Sequence, residues 1–253
     1  MLEGKTALIT GGTSGIGLAT AKLLRRHGAR IAITGRSPDD LAKARQTIGD
    51  DVLTLQTDVL SRDALHKMAS DVKRAFGALD VFFANAGVAF VTPLVTTDEA
   101  QYDRLMDTNV KSVFFSIQAV EPIMRDGGSI IATTAWLNQV GVPGRAVLSA
   151  SKAAVRSFVR TLSAELLARR IRVNAISPGL IETPILRSVG QSERPGQTEA
   201  EFRDYLADAS KLIPIGRLGQ PDEIAAAVLF LASDSSSYML GSEVVVDGGF
   251  AEL

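Results

Sequence analysis

Eight residues near the amino end, Thr10-Gly11-Gly12-Thr13-Ser14-Gly15-Ile16-Gly17, join a short apolar run to a helical pattern. Glycines at such a junction let the backbone turn sharply and approach a pyrophosphate at a helix N-terminus, where free N–H groups and the helix dipole favour an anion. Ordinary tight turns also use glycine, so the position, directly after a strand pattern and directly before a helix, is what carries the nucleotide reading. Gly11, Thr13, Ser14, Gly15, Ile16 and Gly17 are its candidate residues. A second chemical choice stands at the end of the next apolar run, Ile33-Thr34-Gly35-Arg36-Ser37. A carboxylate at that strand end would bind the ribose 2′-hydroxyl of NAD and repel a 2′-phosphate. None is present, and Arg36 offers the phosphate a charge-assisted partner. The charge pattern favours NADP(H); NAD(H) stays open if Arg36 stacks on adenine or is solvated.

The elements that must hold these groups follow from periodicity. Apolar runs recur at Thr6–Thr10, Arg30–Thr34, Val52–Gln56, Val81–Ala84, Ser129–Thr133, Arg172–Ile176 and Glu243–Val246. They are rich in Val and Ile and barely alternate, as parallel strands buried on both faces do. Between them lie helical stretches at Gly17–His27, Arg62–Phe76, Asp98–Met124, Ala146–Arg169 and Asp222–Ser233. Such alternation predicts right-handed βαβ units and a Rossmann-like, doubly wound, seven-stranded parallel sheet with helices on both faces. Its ligands should bind beyond the carboxyl ends of the strands. From about Ile185 to Ile215 the rhythm breaks into a Gly-, Pro- and Gln-containing segment with a short helical pattern near Glu199–Ser210, a candidate lid over the substrate.

Composition sets the outer limits. The 253 residues are 46% hydrophobic, enough to cover both faces of a sheet, and no linker divides them, so one domain over residues 1–253 is expected. A net charge of -1 gives no electrostatic case for nucleic acid or an anionic membrane. There is no cysteine, and the two histidines lie in polar helical stretches, so neither disulfides nor a transition-metal site is expected. The amino end enters a strand pattern at once, and no apolar run nears the roughly 20 residues of a membrane helix. A cytoplasmic location fits these features.

Several motifs, in order along essentially the whole chain, resemble the classical short-chain dehydrogenase/reductases. The Gly-rich turn has their TGxxxGxG spacing; Asn85-Ala86-Gly87 follows the fourth run, Asp58-Val59 the third and Pro178-Gly179 the sixth, with Ile181 and Thr183 beyond and Asp247-Gly248-Gly249 near the end. The resemblance implies that Asp58 and Val59 meet the adenine, that Asn85, Ala86 and Gly87 lie beside the cofactor ribose, and that Pro178, Gly179, Ile181 and Thr183 border the nicotinamide carboxamide. It also implies a catalytic set of asparagine, serine, tyrosine and lysine. Asn109, in Asp107-Thr108-Asn109-Val110, matches the asparagine that holds a proton-relaying water. Lys152 matches the lysine that holds the nicotinamide ribose and lowers the pKa of the tyrosine.

The two hydroxyls of that set are absent. Leu148 stands at the tyrosine position, four residues before Lys152, and the family's usual separation puts the serine position on Ala135. Leucine neither donates nor accepts a proton, and general acid–base catalysis contributes about 10²–10⁴-fold. Thr134 is a candidate substitute, although a strand-end threonine more commonly bonds to backbone. Ser149 shares the lysine's side of the helix, but relatives commonly carry a serine there. Trp136, Asn138 and Gln139 are candidate site-lining residues, and Tyr205, in the candidate lid, could swing inward. Three readings fit: a divergent oxidoreductase using another acid or a substrate that brings its own proton, such as an iminium; a cofactor-binding pseudoenzyme with a sensing or scaffold role; or two positions altered deliberately to trap a complex.

Leu148, Ala135, Trp136, Val140, Val142, Leu180, Ile185 and Leu186 point to an apolar pocket and a hydrophobic carbonyl, alcohol or imine, with Arg145 and Arg187 as candidate partners for a charged group. Apolar residues on the two long helices, Val113, Phe114, Val155, Phe158, Val159 and Leu162, exceed what one sheet face needs. With the resemblance, they suggest a homotetramer or homodimer.

Overall fold

A computed structural model describes all 253 residues. Seven parallel strands, β1 (Thr6–Ile9), β2 (Arg30–Gly35), β3 (Leu53–Gln56), β4 (Leu79–Ala84), β5 (Met124–Thr133), β6 (Arg172–Pro178) and β7 (Glu243–Val246), form one sheet in the order β3-β2-β1-β4-β5-β6-β7. This is the doubly wound Rossmann-like sheet that the periodicity predicts. Helices α1 (Gly15–Arg26), α2 (Pro38–Ile48) and α9 (Pro221–Ala232) cover one face, and α3 (Arg62–Phe76), α5 (Ser112–Val120) and α6 (Ala146–Glu165) the other. Adjacent strand residues feed opposite cores: Leu8 packs with the α3–α5–α6 cluster, while Ala7 and Ile9 pack with the α1–α2–α9 cluster. Both faces being buried is why the strands read as unbroken apolar runs.

Local chemistry starts several helices. Ser37 accepts a hydrogen bond from Asp40 N at 3.2 Å ahead of Pro38, Ser61 accepts one from Ala64 N at 3.2 Å, and Asp98 and Gln101 form a reciprocal capping box. No helix is long and apolar enough to cross a membrane.

The structure corrects three expectations. The continuous helix expected over Asp98–Met124 is three pieces: α4 (Glu99–Met106), a π-helical turn (Asp107–Lys111), and α5, followed by a short 3₁₀ turn (Glu121–Ile123). The π turn adds a residue that carries Asn109 inward, where its amide meets Val88 at both N and O, 2.9 Å each. Pro122 disfavours helix at the residue before it, and Met124 already begins β5. The helix expected to reach Arg169 ends at Glu165; a 3₁₀ turn (Leu167–Arg169) follows, and Arg170 takes a left-handed conformation (φ 55°) before β6. The expected loop-like insert carries two helices, α7 (Pro184–Glu193) and α8 (Glu199–Lys211). Only α8 was visible in the pattern, because Pro184 and Gly190 mask the periodicity of α7.

Candidate active site

The connections leaving the carboxyl ends of β1 to β6 surround a cavity of about 460 Å³. It lies where β2 and β4 flank β1 on opposite sides, the switch point of a doubly wound sheet. One end is built by the glycine turn. Gly11 and Gly15 have φ of +64° and +51°, which L side chains rarely adopt. A Cβ on Gly17 would come within 2.2 Å of Gly11 O, so only glycine lets the helix approach the turn this closely. Gly17 thus supports the turn from behind, while Gly11, Thr13, Ser14, Gly15 and Ile16 line the cavity. No side chain caps the start of α1, which leaves its first N–H groups for an anion.

The turn is fastened to the end of β4. Thr10 Oγ1 accepts from Asn85 N and Ala86 N at 3.0 and 3.1 Å, and the Asn85 amide donates to Thr10 O and Gly11 O at 3.0 and 3.2 Å. The Asn85 side chain therefore holds the turn itself, and Asn85, Ala86 and Gly87 all border the cavity. Beyond β2, Arg36 is exposed and lines the cavity, and its guanidinium makes no hydrogen bond or ion pair within the chain. Asp58 and Val59 line the same end, with Asp58 Oδ1 accepting from Leu60 N at 3.0 Å. Pro178, Gly179, Ile181 and Thr183 line the stretch after β6, where the Thr183 hydroxyl donates to Ile181 O at 3.2 Å. These positions make a cradle that fits a dinucleotide: a glycine turn at a helix start, a free cation beyond β2, and a wall after β6.

The opposite end is apolar. Leu148 on α6 is 4% exposed and packs with Leu105, Trp136 and Leu137, with Ala135 against the same cluster. Trp136 meets Phe250 edge-on, ring centroids 4.3 Å apart. Ala135, Trp136, Leu148, Leu180, Ile185 and Leu186 line the cavity; Val140 and Val142 pack behind this wall. Asn138 and Gln139 turn away, donating to the Glu243 carboxylate at 2.8 and 3.3 Å. Of the two candidate arginines, Arg145 lines the cavity and pairs with Glu193 of α7. Arg187 does not line it, and donates to both carboxylate oxygens of Glu199 at 2.9 Å.

Between the two ends, Lys152 Nζ donates to Thr133 O at 3.1 Å. Desolvation by the surrounding protein pulls its pKa down to about 8. Asn109 is 1% exposed and lies behind the cavity wall; besides Val88 it donates to Ser151 Oγ at 3.3 Å. A Cβ on Gly87 would lie 3.2 Å from Asn109 Oδ1 and 3.9 Å from Lys152 Nζ, so the glycine keeps this passage narrow but open.

The candidate replacement hydroxyls point elsewhere. Thr134 is 1% exposed, its Oγ1 held between Ile176 O (2.9 Å) and the Glu243 carboxylate. Ser149 donates to Leu137 O. Tyr205 stacks on Phe202 with its phenol toward Glu193, outside the cavity lining; burial raises its pKa to about 12. Tyr102 and Tyr238 are exposed. Sequence reasoning missed two residues here. Arg104 of α4 lines the cavity and lies over the Phe90 ring. Glu243 gathers Thr134, Asn138, Gln139 and Arg156. An acid opening the otherwise apolar run Glu243-Val-Val-Val was the available signal, since a buried charge needs partners.

Comparison with known proteins covers nearly the whole chain. Residues 11–251 match the family described as enoyl-(acyl carrier protein) reductase. The chain is 38% identical to oxidoreductase asL5 of Sarocladium schorii, over 100% of this chain and 98% of that one. It is 37% identical to the 3-oxoacyl-[acyl-carrier-protein] reductase FabG of Thermotoga maritima, over 98% of both. Among solved structures, a short-chain type dehydrogenase/reductase from Mycobacterium marinum superposes with a TM-score of 0.90 at 33% identity, covering 100% of this chain and 97% of the other.

Proposed function

The chain belongs to the short-chain dehydrogenase/reductase family, and from that premise we propose that it is an NADP(H)-preferring oxidoreductase acting on a hydrophobic carbonyl, alcohol or imine. The bound dinucleotide would supply or accept the hydride. The observation that carries the reading is one continuous cavity with a phosphate-binding turn at one end and an apolar wall at the other. The relative named as a 3-oxoacyl reductase supports a carbonyl as the reacting group. The unpaired Arg36 beyond β2 supports NADP(H) over NAD(H).

Ala135 and Leu148 take the family's serine and tyrosine positions in this reading, so the site lacks its usual acid. Helix α7, which contributes Ile185, Leu186 and Val189 to the cavity lining, serves as the cover over the substrate. Phe114 and Phe158 on α5 and α6 meet at a tilt, ring centroids 5.6 Å apart, and stay partly exposed, while Val113, Val155 and Val159 are in the core. That half-covered aromatic pair supports self-association through these helices, as a homotetramer or homodimer.

Binding and turnover are tested separately. NADPH and NADH affinities are measured by fluorescence, and absorbance at 340 nm is then followed over linear, cyclic and aryl ketones, 3-oxoacyl thioesters and cyclic imines. The expected result is tighter binding of NADPH and slow turnover of at least one apolar substrate. Removing a charge-assisted bond of about 1.5–3 kcal/mol, Arg36→Ala should weaken NADPH about 10- to 150-fold and NADH little. Equal NADH and NADPH affinity, unchanged by Arg36→Ala, overturns the cofactor preference. Tight binding with no turnover of any substrate favours a cofactor-binding role without catalysis.

A further inference from the structure

We propose that Lys152 itself is the terminal proton donor of this site, delivering a proton to the substrate oxygen or nitrogen that the family's phenol would otherwise serve. The inference rests on the oxidoreductase reading above and deepens it.

Five titratable side chains line the cavity: Arg36, Asp58, Arg104, Arg145 and Lys152. Arginine is not deprotonated in proteins, which removes three of them as acids. Asp58 lies beyond β3 with the adenine end of the cradle, and its carboxylate accepts from Leu60 N. Lys152 alone stands where the glycine-turn end meets the apolar end. Its amine has three N–H donors, and Thr133 O accounts for one of them. The Thr133 hydroxyl is buried with no partner, and an aliphatic alcohol is too weak an acid to be the proton source.

No charged group opposes or holds the ammonium. On the elements packed against α6, Asp107 and Lys111 pair with each other, Arg104 lies over Phe90, and Arg172 donates to Leu231 O, Ser233 O and Ser236. On α6 itself, Arg156 faces Glu243 and Gly241 O. At the far ends of β5 and β6, Arg125 pairs with Asp80, and Arg169 with Asp126 and Glu121. What acts on Lys152 is desolvation, which disfavours the charged form and draws its pKa to about 8, close to working pH where a general acid is most effective.

The step balances. A reduced nicotinamide dinucleotide held in the cradle would supply the hydride to the carbonyl carbon, losing two electrons. The carbonyl π pair takes a proton from the Lys152 ammonium, an O–H bond forms, and the neutral amine regains its proton from solvent. Reduction needs the ammonium, so its rate should fall as pH rises through about 8. The reverse oxidation needs the neutral amine and should rise over the same range.

Two measurements test this. NMR of ¹⁵N-lysine-labelled protein without substrate follows the Lys152 amine directly and should give a midpoint near 8. Single-turnover consumption of pre-bound NADPH, with whichever ketone of the panel turns over, should lose about tenfold per pH unit above that midpoint. Lys152→Arg keeps the cation and its donors but cannot release a proton near neutrality. At saturating NADPH it should lose about 10²–10⁴-fold in hydride transfer and lose the alkaline break. Lys152→Met serves as a second variant if the arginine does not fit. A Lys152 midpoint above about 10, or a Lys152→Arg enzyme that keeps its rate and pH profile, overturns Lys152 as donor and leaves the oxidoreductase reading standing. No turnover of any panel substrate with NADPH bound overturns both.

Discussion

Replacing Glu243 with alanine removes the acceptor shared by four side chains. Its carboxylate, 8% exposed, takes hydrogen bonds from Thr134, Asn138 (2.8 Å) and Gln139 (3.3 Å) and faces Arg156 at 3.4 Å. Taking one partner from a buried ion pair costs about 3–5 kcal/mol because a charge is left uncompensated. Arg156 retains Gly241 O at 2.8 Å, and Thr134 retains Ile176 O, so the lower end, about 3 kcal/mol, is expected. For a chain of this size that is a fall in Tm of about 6–12 °C, measured by thermal and urea unfolding. Glu243→Gln keeps the volume and one carbonyl acceptor but loses the charge, and should cost about half as much. Thr134, Asn138 and Gln139 bracket Ala135 and Trp136, so the alanine variant should also loosen the apolar wall, raising KM for an apolar substrate. NADPH binding at the glycine turn should be unchanged. A Glu243→Ala protein within about 1 kcal/mol of the parent would refute the claim that this carboxylate fastens the wall.

Placing hydroxyls at the proposed positions with Ala135→Ser and Leu148→Tyr should raise turnover about 10²-fold, the lower end of the range for general acid catalysis. Packing a phenol into the wall around Leu148 should also cost about 1–3 kcal/mol of stability. A double variant that binds NADPH yet gains no rate would mean that the frame has diverged at more than these two positions. Light scattering at micromolar concentration should give a dimer or tetramer mass, and Phe114→Glu with Phe158→Glu should shift it toward monomer; a monomeric parent would refute the proposed interface.

The strands were readable because burial on both faces leaves a distinctive, unalternating pattern, and every expected run falls within two residues of an observed strand end or inside the strand. The glycine turn was readable for a related reason: its chemistry is carried by backbone geometry, and glycine marks it in the chain. The π turn at Asp107–Lys111 was not readable, since apolar residues continue on both sides of it and the two hydrogen bonds exchanged between Asn109 and Val88 join positions distant in the chain. The direction of the Thr134 hydroxyl was hidden in the same way, depending on a carboxylate from the last strand. Tyr205 illustrates the limit for a lid residue. Its helix was visible in the pattern, and it stacks on Phe202 of that same helix, but its approach to Glu193 of α7 depends on a helix that was not.

If Ala135 and Leu148 take the serine and tyrosine positions, as proposed above, their surroundings differ from those of simple deletions. A site that has merely lost a phenol would hold groups still aimed at the missing oxygen. Here one N–H of the Lys152 amine is taken by Thr133 O, Ser151 Oγ donates to Leu148 O at 2.7 Å, and the Leu148 side chain fills a cluster with Leu105, Trp136 and Leu137. That packing has an electrostatic consequence. Leu148 lies one turn before Lys152 on the same face of α6, and its apolar side chain offers the ammonium no hydrogen-bond partner. Desolvation is the cause of the lysine's lowered pKa. On the proposed reading, a site without the family's phenol still holds an amine that burial has made a stronger acid than a solvated lysine.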